Sequence, residues 1–119
     1  MIEQIKSSEI KKFLEKNPKT VLLDVRTEDE WNTVGKPVSD KLGIKGFFIT
    51  IKQGSNFVEN VKKEIDIKNK VLVICASGGR SMVAANLLQN EGYVTHNVSD
   101  GFSGNEQDPG WKNSGLPSE

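Results

Sequence analysis

Seven consecutive residues carry most of the chemistry this sequence could do: Cys75-Ala76-Ser77-Gly78-Gly79-Arg80-Ser81. Cys75 is the single cysteine in 119 residues, so no disulfide can form within the chain. It follows the apolar run Val71-Leu72-Val73-Ile74, which reads as a buried strand, and α/β folds place their ligand sites at the carboxyl ends of such strands. Gly78 and Gly79 can take backbone conformations closed to other residues, and Ser81 then opens a helical stretch. A turn of this kind curls successive N–H groups around the sulfur and backs them with a helix N-terminus, forming an anion nest. Such a setting lowers a thiol pKa below the free value of about 8.5 and favours the nucleophilic thiolate. Arg80 adds a fixed positive charge at the same mouth. With no acidic side chain between Cys75 and Arg80, the nest also suits a larger anion, a persulfide on Cys75. The bland alternative is a buried cysteine acting as a small hydrophobe.

The elements that position this loop follow from the pattern around it. Lys70 to Cys75 is the clearest buried strand, the loop spans Ala76 to Arg80, and Ser81 to Glu91 reads as a helix with Met82, Ala85, Leu87 and Leu88 toward the core. Gly92 is placed to cap that helix. Upstream, Ser8 to Lys16 is a short amphipathic helix stopped by Asn17-Pro18, and Thr20 to Val25 is a second buried strand. Thr27-Glu28-Asp29-Glu30 is a capping box, so a helix starts directly after that strand. Gly35 to Gly46 is a connection, Phe47 to Ile51 a strand, Val58 to Ile65 a short helix and Tyr93 to Val98 a last strand. Gln4 to Lys6 can add a short edge strand, and a turn of helix is expected near Trp111. Strands alternating with helices imply a layered α/β domain with a largely parallel sheet.

Composition narrows the function classes. Lys plus Arg (16) equals Asp plus Glu (16), so no global field points to nucleic acid or membrane, and any electropositive site must be local. Met1 to Lys16 lacks the apolar run of a signal peptide, and Val71 to Ala76 is too short to span a bilayer. A lone thiol without an export signal points to a reducing, cytoplasmic compartment. One cysteine and one histidine form no metal-ligand cluster. Length suits a single domain over residues 1–119.

The loop from Cys75 to Ser81 resembles the rhodanese active-site pattern of Cys, two variable residues, Gly, one variable residue, Arg and Ser. Leu23-Asp24-Val25-Arg26, with Glu30-Trp31 beyond it, resembles the upstream signature of that family, and the stretch from Asp100-Gly101-Phe102 to Gly115-Leu116-Pro117 is similar to the ending of some single-domain members. The resemblance implies a rhodanese-like three-layer α/β/α sandwich with a mostly parallel sheet of about five strands. It also implies a sulfurtransferase with no metal or organic cofactor. A sulfane sulfur would pass from a small sulfur-containing anion or persulfide donor to Cys75, and then to cyanide, a thiol or a protein. Carried over residue by residue, Cys75 is the nucleophile. The amides of Ala76, Ser77, Gly78, Gly79, Arg80 and Ser81 are the cradle, and Arg80 holds the cradle or the incoming anion. Ala76 and Ser77 offer no charge where many thiosulfate-using members carry basic or polar residues, so thiosulfate and a persulfide stand as alternative donors.

Two rivals are weighed against this reading. Cysteine phosphatases also use a thiolate in an anion loop, but they place one more residue between Cys and Arg than the four seen here, and many have His where this chain has Ile74. A catalytically weak rhodanese-like binding or redox-sensing module is the more serious alternative. Other conspicuous residues read as structural. Asp24 and Arg26 suit a buried ion pair, Arg26 and Glu30 are spaced for a salt bridge, His96 reads as a surface or edge residue, and Trp31 and Trp111 read as packing. Lys11-Lys12 and Lys62-Lys63 read as solvated helix faces.

Overall fold

A computed structural model describes residues 1–52 and 56–119. Two buried strands with alternating faces organise it. In β2 (Thr20–Asp24) and β4 (Lys70–Ile74), successive apolar side chains point to opposite sides of the sheet. Val21, Leu23, Val71 and Val73, with Val25 and Cys75 just beyond the strands, face one core together with Phe57, Val61, Ala84, Ala85 and Leu88. Leu22, Leu72 and Ile74 face the other, with Ile10, Phe102 and Trp111. A strand buried on both faces needs a helical layer on each side, which makes the molecule a three-layer α/β/α sandwich.

The sheet adds β1 (Glu3–Ile5), β3 (Gly46–Phe48) and β5 (Val94–Val98) in the order β1-β5-β4-β2-β3, and every described pairing is parallel. Helices α3 (Phe57–Glu64) and α4 (Gly79–Asn90) supply the first core, and α1 (Ile10–Lys16) supplies the second. Helix α2 (Glu28–Thr33) starts at Thr27, whose hydroxyl accepts from the Glu30 amide while the Glu30 carboxylate accepts from the Thr27 amide. This is the expected capping box. The segment 100–119 is held on its first residue. Buried Asp100 accepts from the Ser7 amide and hydroxyl at 3.0 and 2.9 Å and from the Gly110 amide at 3.0 Å.

Several sequence expectations need correction. Regular β3 pairing ends at Phe48, although Ile49 and Ile51 still donate to the carbonyls of Asp24 and Val25. The connection 35–46 contains a 3₁₀ turn at Ser39–Leu42, and Pro37 bridges antiparallel to Ser118. Helix α4 begins at Gly79, two residues earlier than expected, which moves Gly79 and Arg80 from the loop into its first turn. Its buried positions are Ser81, Ala84, Ala85 and Leu88, an i, i+3, i+4, i+7 stripe, so Leu87 turns out to solvent at 40% exposure. His96 is not on an edge strand, because β1 pairs outside β5. Its ring stands edge-on to Phe13 at 4.8 Å. Trp111 is fully buried, whereas Trp31 is half-buried against Phe48.

Candidate active site

The cradle follows from where β4 stops and α4 starts. Cys75 is the first residue after β4, and only Ala76, Ser77 and Gly78 separate it from α4. A turn this tight needs a left-handed residue. Gly78 takes φ +108, and a Cβ there would meet the Ser99 carbonyl oxygen at 2.4 Å, so glycine is required on two separate grounds. Gly101 is required from the other side, because a Cβ on it would meet the Ala76 carbonyl oxygen at 2.3 Å. Phe102 and Ser103 donate their amides to the carbonyls of Cys75 and Ala76 at 2.8 and 2.9 Å. With its carbonyls engaged behind it, the turn presents its N–H groups forward.

Those donors meet the sulfur. The Gly78 amide donates to Cys75 Sγ at 3.2 Å, and the Ser81 hydroxyl oxygen lies 3.2 Å from Sγ. Cys75 is 1% exposed and packs in the first core. Burial by itself pushes the thiol pKa up, but hydrogen bonds from the Ser81 hydroxyl and the amides of Ser81, Gly78 and Ser77 outweigh it and leave the thiol below its usual range. Of the expected cradle, Ser77, Gly78 and Ser81 thus direct donors at the sulfur. Gly79 and Arg80 lie in the first helical turn, and the structure records no hydrogen bond from the amides of Ala76, Gly79 or Arg80 to Sγ.

Arg80 is partly exposed and already paired. Its two terminal nitrogens donate to the two Glu30 oxygens at 2.6 and 2.7 Å, a fork-to-fork contact that joins the start of α4 to the first turn of α2. The Arg80 hydrogen bonds hold the Glu30 carboxyl down at about 2, against the opposing effect of burial. The expected Arg26–Glu30 bridge is therefore absent. Arg26 instead turns back on Asp24, which is two residues away and on the same side of the chain, with Nε and Nη2 at 2.8 to 3.1 Å from its oxygens. The Gly35 carbonyl and the face of Phe102, 4.3 Å from the guanidinium carbon, complete that enclosure.

Asn97 was not singled out by the sequence. It is 3% exposed in β5, with Oδ1 2.5 Å from the Ser81 hydroxyl oxygen and Nδ2 donating to the Gly78 carbonyl at 3.2 Å and to Gln4 Oε1 at 2.9 Å. The available signal was a polar residue at a core-facing position of a strand, in register with Thr95, which also faces α4. Among the described residues, no group of three or more His, Cys, Asp or Glu side chains could hold a metal ion, and no helix is long and apolar enough to cross a membrane.

Comparison with known proteins places this arrangement. The chain is 39% identical to an uncharacterized protein of Rickettsia prowazekii, covering 98% of this chain and 97% of that protein. A crystal structure of Rv0390 from M. tuberculosis superposes with a TM-score of 0.82 at 31% identity, covering 98% and 96% of the two chains. The solution structure of the polysulfide-sulfur transferase homodimer from Wolinella succinogenes gives 0.70 at 26% identity, covering 99% of this chain and 78% of that one. The pattern of the rhodanese-like domain matches residues 7–107, which spans the Asp24–Arg26 pair, the Cys75 cradle and Asn97. The chain belongs to the rhodanese-like domain family.

Proposed function

We propose that the protein is a sulfurtransferase in which Cys75 carries the sulfur. The Cys75 thiolate attacks the sulfane sulfur of a donor, and the donor's S–S or S–SO₃ bond breaks. The electron pair leaves with the departing thiolate or sulfite, and a persulfide remains on Cys75. A thiol, cyanide or protein nucleophile then attacks the outer sulfur, and the Cys75 thiolate leaves. No electrons are exchanged with an external oxidant or reductant, and no cofactor is needed. The observation that carries this reading is the convergence of Gly78 and Ser81 on a buried Sγ at the end of a parallel strand. Fixed dipoles of this kind stabilise an anion where water cannot reach it. The sulfur-transferase description of the Wolinella protein agrees with it.

Between donors, the pairing of Arg80 favours a persulfide or polysulfide. Its charge already has a counter-ion in Glu30, and Ala76 and Ser77 add none. A thiosulfate dianion would have to be held by neutral donors alone. The protein acts as one cytoplasmic domain over residues 1–119, on small sulfur species or protein thiols rather than nucleic acid or membrane.

The test is turnover with a persulfide donor and, separately, thiosulfate, with cyanide or a thiol as acceptor. Persulfide should be the faster donor, and Cys75→Ser should abolish both reactions. Retained activity in Cys75→Ser would overturn the proposal.

A further inference from the structure

The Ser81 hydroxyl has one hydrogen and two claimants. Cys75 Sγ lies 3.2 Å from its oxygen and Asn97 Oδ1 lies 2.5 Å from it. We propose that Asn97 is a positioning residue that competes with the Cys75 sulfur for the single Ser81 hydroxyl hydrogen, and so governs how readily that sulfur gives up its proton.

The amide orientation of Asn97 is fixed by its surroundings. Nδ2 points between two acceptors, the Gly78 carbonyl and Gln4 Oε1. Gln4 is itself oriented by its Nε2, which donates to Met82 Sδ at 3.1 Å. Turning the Asn97 amide over would set its oxygen against both acceptors, so Oδ1 must face Ser81. Ser81 is fully buried and Asn97 nearly so, and no water-facing position is open to the hydroxyl.

Two hydrogen arrangements follow. In the thiol, Cys75 S–H donates to Ser81 Oγ and the Ser81 hydroxyl donates to Asn97 Oδ1, so every group is satisfied. When the thiol ionises, its proton leaves to solvent base. The Ser81 hydrogen then turns to the sulfur, and Asn97 Oδ1 is left without a donor in a buried site. An abandoned acceptor is costly. Asn97 therefore favours the protonated sulfur, while the Gly78, Ser77 and Ser81 amides favour the anion. Asn97 would then hold the resting thiol back from full ionisation and assist its return as the leaving group is reprotonated.

The charged and titratable groups on the elements around the cradle lie outside this competition. Arg80 at the start of α4 is fixed to Glu30 of α2, and Asp24 at the end of β2 is fixed to Arg26. His96 on β5 faces Phe13 in the opposite core. None of them contacts Ser81 Oγ or Asn97 Oδ1.

The inference rests on Cys75 acting through its anion, and the experiment separates the two. Alkylation rate against pH is measured for the whole chain as wild type, Asn97→Ala, Ser81→Ala and the double variant. Each is checked for folding by circular dichroism, with Asn97→Ser as the substitute where Asn97→Ala does not fold. Ser81→Ala should raise the titration midpoint by about one unit, through loss of a donor to the anion. Asn97→Ala should lower it by roughly half a unit to one unit, because the hydroxyl is freed for the sulfur. The double variant should match Ser81→Ala, since without the hydroxyl there is nothing to compete for. A midpoint that rises or stays fixed in Asn97→Ala, or an Asn97 effect that persists without Ser81, overturns the inference. Sulfur uptake by wild type, read by intact mass in parallel, judges the role of Cys75 independently.

Discussion

Asp24–Arg26 and Glu30–Arg80 are the same chemical pair in two settings. The first is sealed, with side chains 0% and 1% exposed, and its guanidinium is further engaged by a carbonyl and an aromatic face. The second has 26% of Glu30 and 41% of Arg80 open to solvent and spans two helix starts. Burial decides what each can do. A sealed pair tolerates no loss of a partner, because the remaining charge would be stranded. A pair at the surface contributes little to stability, so Arg80 and Glu30 tie the first turn of α4 to α2 without bracing the core. The sequence places Arg26 and Arg80 in two motifs, and the structure seals one pair while leaving the other partly open to solvent.

The comparison breaks most visibly at the sealed pair. Asp24→Ala should lower unfolding free energy by about 3–5 kcal/mol, read from urea denaturation, because Arg26 is left buried and unpaired. A loss below that of a surface pair would erase the distinction. Gly78→Ala comes next. The positive φ and the approach to Ser99 should cost about 1–3 kcal/mol and displace the cradle amide from the sulfur. Loss of stability with an unchanged thiol titration would show that Gly78 serves the turn and not the anion.

Arg80→Ala should cost less than about 1 kcal/mol in stability while slowing sulfur transfer by roughly tenfold or more. Equal losses in both would place Arg80 beside Arg26 as a brace. The smallest effect is acid-dependent. Arg80 holds the Glu30 carboxyl down at about 2, so the ionised form is favoured in the folded state. Its contribution is complete above the ordinary carboxylate range, declines as pH falls and is gone below about 2. For a partly exposed, screened pair this is on the order of 1 kcal/mol or less. Arg80→Ala should flatten that part of the stability–pH curve, and an unchanged curve would detach the shift from the pair.

Strand alternation and the capping box at Thr27–Glu30 made most of the fold legible in the sequence. Leu22 and Leu23 already point apart, and Thr27 already marks the start of α2. The Cys75–Ser81 spacing marked the cradle, but not its division of labour. Expecting α4 from Ser81 put Gly79 and Arg80 in the loop, because no residue type announces that Gly78 alone takes the left-handed turn. The partner of Glu30 was misread because spacing along the chain favours Arg26, whereas Arg80 arrives across fifty positions. Asn97 was hidden for a related reason. Its contacts with Gly78, Ser81 and Gln4 are set by the packing of β5 between β1 and β4, which one strand's sequence does not disclose.

The most direct test of the central claim is intact-mass measurement after brief exposure to a persulfide donor. Wild type should gain one sulfur atom that reductant removes, and Cys75→Ser should gain none. A wild type that stays at its starting mass, with the thiol titrating as a free cysteine, would contradict the reading of Cys75 as a sulfur carrier.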